Sequence, residues 1–257
     1  MDCMPRAIKK VSACMSDTAT TPPLKILGIF AHPDDPEFSM GGSATLWADQ
    51  GAEVYYCIIT NGRAGSNDPA QDLNELVRIR EAEQRAAAAV CGVKEVFFLG
   101  YEDGTLEPTI ELRRELTRLI RQLQPDRVIS GDPRAYFYDG YVNHADHRAA
   151  AEAAVTAVFP SAPTRPIFPE LLAEGYEPHQ VKELYITHPE HANLYVDIAS
   201  TIERKIESLR CHKSQVDPGD GKWIREWAIE TGKSGGLEYA EAFRVIKLVQ
   251  DTQGDSQ

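Results

Sequence analysis

The strongest constraint on the fold is an alternation of short apolar runs and longer segments with helical spacing, repeated down the first half of the chain. Leu24 to Ala31 (LKILGIFA) is apolar nearly throughout and stops before Pro33, as a strand covered on both faces does. Gly42 to Gln50 carries Ala44, Leu46, Trp47 and Ala48 at helix-compatible spacing, with Gly51 placed for a left-handed stop. Glu53 to Thr60 then reads as a strand, Leu73 to Cys91 as an Ala- and Arg-rich helix closed by Gly92, and Glu95 to Leu99 as a strand. Thr109 to Gln124 follows as a helix and Arg127 to Ser130 as a strand. Strands that alternate with helices run parallel through right-handed crossovers, so the spacing predicts an α/β fold, a mostly parallel sheet with helices on both faces. In such sheets functional groups gather where loops leave the carboxyl ends of the strands.

Two polar clusters occupy positions of that kind. His32-Pro33-Asp34-Asp35 follows the first strand, and His144-Ala145-Asp146-His147 lies in the loop expected after the fourth. Pro33 disfavours a helix between His32 and Asp35, so the two should converge through a tight loop. With His147 they make a His/Asp/His set of the kind that binds catalytic zinc and leaves one coordination position for water, whose pKa falls to roughly 7 there. Neighbouring carboxylates do not easily share one cation, so Asp35 is assigned to the metal and Asp34 to the proton, as general base. His144 can polarise a carbonyl or protonate a leaving amine, and Asp146 can hold its imidazole charged. Asp35 before Pro36 also fits a helix N-cap, with Glu37 favourable to the dipole, a role compatible with ligation. Iron(II) suits the same donors as zinc.

The rest of the chain narrows the setting. At 257 residues it is long enough for one full core, and we expect a flexible tail at 1–23 and a single domain over 24–250. Residues 160–180 hold five prolines and read as an irregular insertion at the rim of the site. Strands are expected at Glu183 to Thr187, Asn193 to Ile198 and Phe243 to Val249, and a helix at Ser200 to Cys211. A formal charge of -12 disfavours nucleic acid and anionic membranes as partners. Five cysteines without a C-x-x-C spacing point to a reducing, cytoplasmic setting rather than a disulfide framework. No G-x-G-x-x-G or G-x-S-x-G occurs, so neither dinucleotide binding nor a serine nucleophile is indicated.

The run Ala31-His32-Pro33-Asp34-Asp35-Pro36-Glu37 followed by Gly41-Gly42 resembles the signature of the LmbE-like, PIG-L type de-N-acetylases, and His144-x-Asp146-His147 resembles their second motif. Thr60-x-Gly62, Arg80-x-x-Glu83 and His212-x-Ser214-Gln215 support the match over roughly residues 24 to 215. The resemblance implies a Rossmann-like sheet and zinc on His32, Asp35 and His147. It also implies Asp34 as base, with His144 and Asp146 assisting. The reaction implied is hydrolysis of an N-acetyl group from an N-acetylglucosamine-type glycoside, giving free amine and acetate. The alternatives are hydrolysis of another amide or acyl bond, or a sugar-binding relative without catalysis.

Candidate contacts to a small N-acetylated amino-sugar substrate are Glu37, Arg63, Tyr141 and Asn143. Arg63 stands where many relatives place an acid, which suggests an anionic group on the substrate or a plain solvated loop residue. The aromatic run Tyr136 to Asn143 fits stacking on a sugar ring or core packing. His188-x-x-His191 reads as a loop rather than a second metal pair, and His212 as a helix-end or cleft residue. No coiled-coil heptad announces association, and a homo-oligomer through sheet or helix surfaces is compatible with the sequence.

Overall fold

A computed structural model describes residues 22–138 and 140–249. The tail expected at 1–23 falls, up to residue 21, outside the described residues, as do Cys3 and Cys14. The first half alternates as its spacing predicts. Strands β1 (Lys25–Phe30), β2 (Glu53–Thr60), β3 (Glu95–Tyr101) and β4 (Arg127–Ser130) are separated by helices α1 (Asp35–Asp49), α2 (Leu73–Val90) and α3 (Ile110–Leu123). A two-stranded hairpin, β5 (Phe137–Tyr138) and β6 (Tyr141–Val142), precedes α4 (Ala145–Thr156) and the short α5 (Glu170–Ala173). The remainder is β7 (Glu183–Thr187), β8 (Leu194–Asp197), α6 (Ile202–Arg210), α7 (Lys222–Gly235) and β9 (Ala240–Lys247).

Seven strands form one sheet in the order β3-β2-β1-β4-β7-β9-β8. β1 pairs in parallel with β2 and β4, and β4 with β7, whereas β9 runs antiparallel between β7 and β8. The order reverses between β1 and β4, and a switch point of that kind opens a crevice at the carboxyl ends of the strands. Alternate residues of β1 serve both faces. Leu27 and Ile29 join a core with Leu112, Leu116 and Ile120 of α3 and the alanines of α4, while Ile26 and Phe30 pack with Met40, Ala44 and Trp47 of α1. A third cluster joins Ile202, Ile206 and Leu209 of α6 to Ile224 and Ala228 of α7.

Three elements differ from expectation. α1 begins at Asp35 rather than near Gly42: Asp34 is the N-cap and Pro36 lies in the first turn, so Asp35 is a helical residue and not the cap. The second cluster lies at the start of α4 rather than in a loop, because the alanine-rich run after it carries the helix back to His144 as N-cap. Residues 160–180 line neither cavity at the strand ends. The insertion is instead pinned to α3 by buried Arg121, whose guanidinium donates to the carbonyls of Ser161, Ala162, Thr164 and Ile167.

α1 is fastened from the far end of the chain. Buried Glu241 of β9 accepts hydrogen bonds from the backbone N–H groups of Gly42 (3.0 Å) and Ser43 (2.8 Å) and pairs with Lys205 of α6. Lys205 in turn donates to the Phe38 carbonyl, 2.8 Å away. Close approach is possible because Gly42 has no side chain, since a Cβ there would lie 2.9 Å from the Ile198 side chain.

A candidate metal centre at the ends of β1 and β4

His32, Asp35 and His147 converge although 115 residues separate the two histidines. His32 Nδ1 lies 3.2 Å from His147 Nε2 and 3.4 Å from Asp35 Oδ2, and His147 Nε2 lies 3.1 Å from Asp35 Oδ1. A tetrahedral ion with ligand bonds of ~2.0 Å spaces its ligand atoms about 3.3 Å apart, so the triangle has the size zinc requires.

Hydrogen bonds decide which nitrogens face the centre. Asn143 donates its amide nitrogen to the Ala135 carbonyl (2.7 Å), which turns its amide oxygen to His147 Nδ1 (3.0 Å). His147 therefore carries its proton on Nδ1 and presents a lone pair at Nε2. His32 Nε2 faces Asp103 Oδ1 at 3.1 Å and Asp146 Oδ2 at 3.4 Å, which leaves Nδ1 for the centre. Two imidazole nitrogens 3.2 Å apart need a proton or a metal ion between them. Burial opposes a charge on His32, yet hydrogen bonds to Asp103, Asp146 and Asp35 outweigh it and push its pKa up to about 12. The donor set and the field both fit a divalent metal.

The two acids of the first cluster are driven apart. Burial, then the neighbouring charge of Asp35, raises Asp34 to about 7 against the pull of Arg80. Burial also raises Asp35, but His147 and His32 more than reverse this and hold it well below the carboxylate range. One acid is thus poised to exchange a proton near neutrality while the other stays ionised. Asp34 has φ +99° and ψ −31°, a conformation that non-glycine residues seldom adopt and that costs about 1–3 kcal/mol. Side chains from α2 hold it. Gln84 accepts from the Asp34 N–H (2.8 Å), and Arg80 donates to the Pro33 carbonyl (2.8 Å) and to Asp34 Oδ2 (3.2 Å). Gln84 is itself fixed by Glu37, which is bonded to His212 on its other side.

The second cluster is arranged differently from expectation in one respect. Asp146 is fully buried and accepts from the N–H groups of Gly104 (2.7 Å) and Leu106 (3.1 Å) as well as facing His32, while its carboxylate is 3.9 Å from His144 Nδ1. His144 Nδ1 instead accepts the Asp146 backbone N–H, closing the helix cap and leaving the ring proton on Nε2. Burial and the charge of His32 lower the His144 pKa, which favours this neutral form. A second grouping of His32, His144 and Asp146 is close enough to hold an ion, but those hydrogen bonds already occupy it.

The expected substrate contacts divide. Tyr141 lines the cavities and stacks with Tyr138 at the mouth. Asn143 also lines one of them, with both polar side-chain atoms committed. Glu37 is wholly buried on the inner face of α1 and lines neither cavity, so it is corrected to a support of Gln84. Arg63 lines neither cavity and pairs with Glu102 at the rim, which removes the argument for an anionic substrate. Sequence reasoning missed Asp103, although an acid before Gly104 at the end of β3 is a strand-end signal, and it missed Gln84, which nothing in the local sequence marks.

The chain is similar to known deacetylases in sequence and in fold. The family model "GlcNAc-PI de-N-acetylase" (PIG-L) matches residues 27–158, which include both clusters. The diacetylchitobiose deacetylase of Thermococcus kodakarensis is 33% identical over 229 residues, 86% of this chain and 83% of that protein. A probable N-acetyl-α-D-glucosaminyl L-malate deacetylase 2 of Bacillus anthracis is 29% identical over 84% of this chain and 91% of its own length. Among solved structures, N,N'-diacetylchitobiose deacetylase from Pyrococcus horikoshii superposes with a TM-score of 0.80 at 30% identity, covering 89% of this chain and 87% of that one. Among the described residues no helix is long and apolar enough to cross a membrane. By motif, sequence and fold together, the chain belongs to the PIG-L family of GlcNAc-PI de-N-acetylases.

Proposed function

We propose that this protein is a zinc-dependent hydrolase that removes the N-acetyl group from an N-acetylglucosamine-type glycoside, releasing acetate and a free amine. The observation that carries the reading is the triangle of His32 Nδ1, Asp35 and His147 Nε2, flanked by Asp34 and a neutral His144. The deacetylase relatives supply the substrate class. A zinc ion, or iron(II), held by the triangle supplies Lewis-acid polarisation of the amide carbonyl and a lowered pKa for water. Asp34 accepts the proton of the attacking water. His144 directs its Nε2–H at the carbonyl oxygen as negative charge develops there, and the proton held by Asp34 passes to the departing amine. Asp146, through His32 and the Gly104 and Leu106 amides, is a positioning group. The substrate is a small molecule met in the cytoplasm, and assembly into a homo-oligomer is open to sedimentation.

Purified protein loaded with zinc is tested for acetate and free amine released from N-acetylglucosamine and diacetylchitobiose, with bound metal measured in parallel. We expect about one metal per chain and release that a chelator stops. A protein that binds the metal and cleaves neither sugar sinks the reading.

A further inference from the structure

Two cavities meet at the triangle, for Asp35, Phe38, Tyr141 and His147 line both. The shallower, about 370 Å³, is walled by Asp34, Arg80, Asp103 and His144. The deeper and more enclosed one, about 560 Å³, reaches Ile224, Trp227 and Ala228 of α7. An amide is asymmetric at the bond that breaks: its nitrogen must gain a proton, and its acyl carbon need not. Asp34, the group that returns a proton to that nitrogen, lines the shallow cavity and not the deep one. The amine and its sugar therefore belong in the shallow cavity, and the acyl substituent points into the deep one.

A methyl group, about the size of a water molecule at roughly 30 Å³, fills little of that space. The volume falls in the range of ~300–1,000 Å³ that holds whole ligands. Several charged and polar side chains around the deep cavity are already paired. Lys205 bonds Glu241 and the Phe38 carbonyl, Asp132 is bonded twice by Arg134, and His188 bonds Ser39 while stacking on Trp227. The hydroxyls of Tyr138, Tyr141 and Thr187 are left for a ligand, while Phe38, Ile224, Trp227 and Ala228 offer the apolar contact an aliphatic chain needs.

Resting on the deacylase reading above, we propose that the deep cavity is an acyl pocket and that the enzyme hydrolyses amino sugars carrying a medium-length aliphatic N-acyl chain in preference to N-acetyl. The products are the free amino sugar and the corresponding fatty carboxylate, with one water consumed.

The test is a series of N-acetyl-, N-butyryl-, N-hexanoyl- and N-octanoylglucosamine with the zinc-loaded protein. We expect kcat/KM to rise at least about tenfold from acetyl to hexanoyl, as burial of added methylenes predicts. Calorimetric titration without turnover should show hexanoate binding at least about tenfold more tightly than acetate. Thr231→Phe, at a partly exposed position of α7 that lines the cavity, and Ala228→Leu should each lower the hexanoyl-to-acetyl ratio at least about fivefold. A flat or falling series, or a ratio unmoved in both variants, overturns the pocket while acetyl release leaves the deacetylase reading standing. Failure to cleave any member removes both.

Discussion

The two loops that build the centre reach it by opposite means. The His32 loop is held in a conformation its own sequence disfavours, with Asp34 at φ +99° and supports from Arg80 and Gln84 some fifty residues on. The His144 loop is an ordinary helix start: His144 has φ −56° and ψ 138°, caps its own helix, and puts His147 on the first turn beside Asn143. Strain in the first loop is concentrated at the proposed base, and the second loop, which supplies a proposed ligand, is relaxed. The chemistry that must be poised is thus supported by tertiary contacts, and the chemistry that must only be pointed is encoded locally.

The largest effect should come from His147→Ala, which removes a proposed ligand. Metal measured by elemental analysis should fall below a tenth per chain and turnover to background. Retention of stoichiometric metal with activity would break the assignment of the second loop. Asp34→Asn should keep the metal and lower kcat by about 10²–10⁴ with little change in KM, as loss of a general base does. Normal turnover in that variant would remove the need for any strain at this residue.

The supports sharpen the comparison because their failures should differ. Gln84→Leu strips the acceptor from the Asp34 N–H, so kcat should fall about 10–100-fold at unchanged metal content, with about 1–3 kcal/mol of stability lost in urea unfolding. Asn143→Leu removes the acceptor that sets the His147 tautomer, so metal affinity should fall about 10–100-fold while kcat at saturating metal stays closer to normal. If both variants lost metal alike, the two loops would not be supported differently.

The smallest effect lies outside both loops. His188 is pulled down to about 4 by burial and then by the charge of Lys205. Its neutral form is the folded one, so the stability it contributes is whole above pH 6.5 and drains away as pH falls from 6.5 toward 4. Allowing for partial exposure, the loss should be no more than about 1–2 kcal/mol. His188→Asn, which tolerates the φ of +47° there, should shrink the difference between urea midpoints at pH 7 and pH 5.

What could be read from the sequence follows from the same division. The buried parallel strands announce themselves because both faces are covered, so Ile26 to Phe30 and Val54 to Thr60 are apolar almost without interruption. The convergence of His32, Asp35 and His147 was legible because metal-binding chemistry admits few residue types. The start of α4 was hidden because His-Ala-Asp-His looks like a loop until its capping hydrogen bond is seen. α7 was overlooked even though Ile224, Ala228 and the Gly236 stop keep helical register. Glu37 gives no sign in the sequence of its burial, since it takes the start of α1 to carry its side chain to the buried face. Gln84 and Asp103 matter through contacts made across the fold, which no local pattern records.

The clasp of Glu241 on the backbone of α1 has an implication for biosynthesis. A nascent chain exposes His32 and Asp35 early, yet the acid that fastens their helix lies about two hundred residues later, in β9. Until then Gly42, Ser43 and Lys205 wait without their shared partner. Competence to hold an ion should therefore appear only once β9 has been made, so a fragment released before Ala240 would be inert however intact its two signature loops.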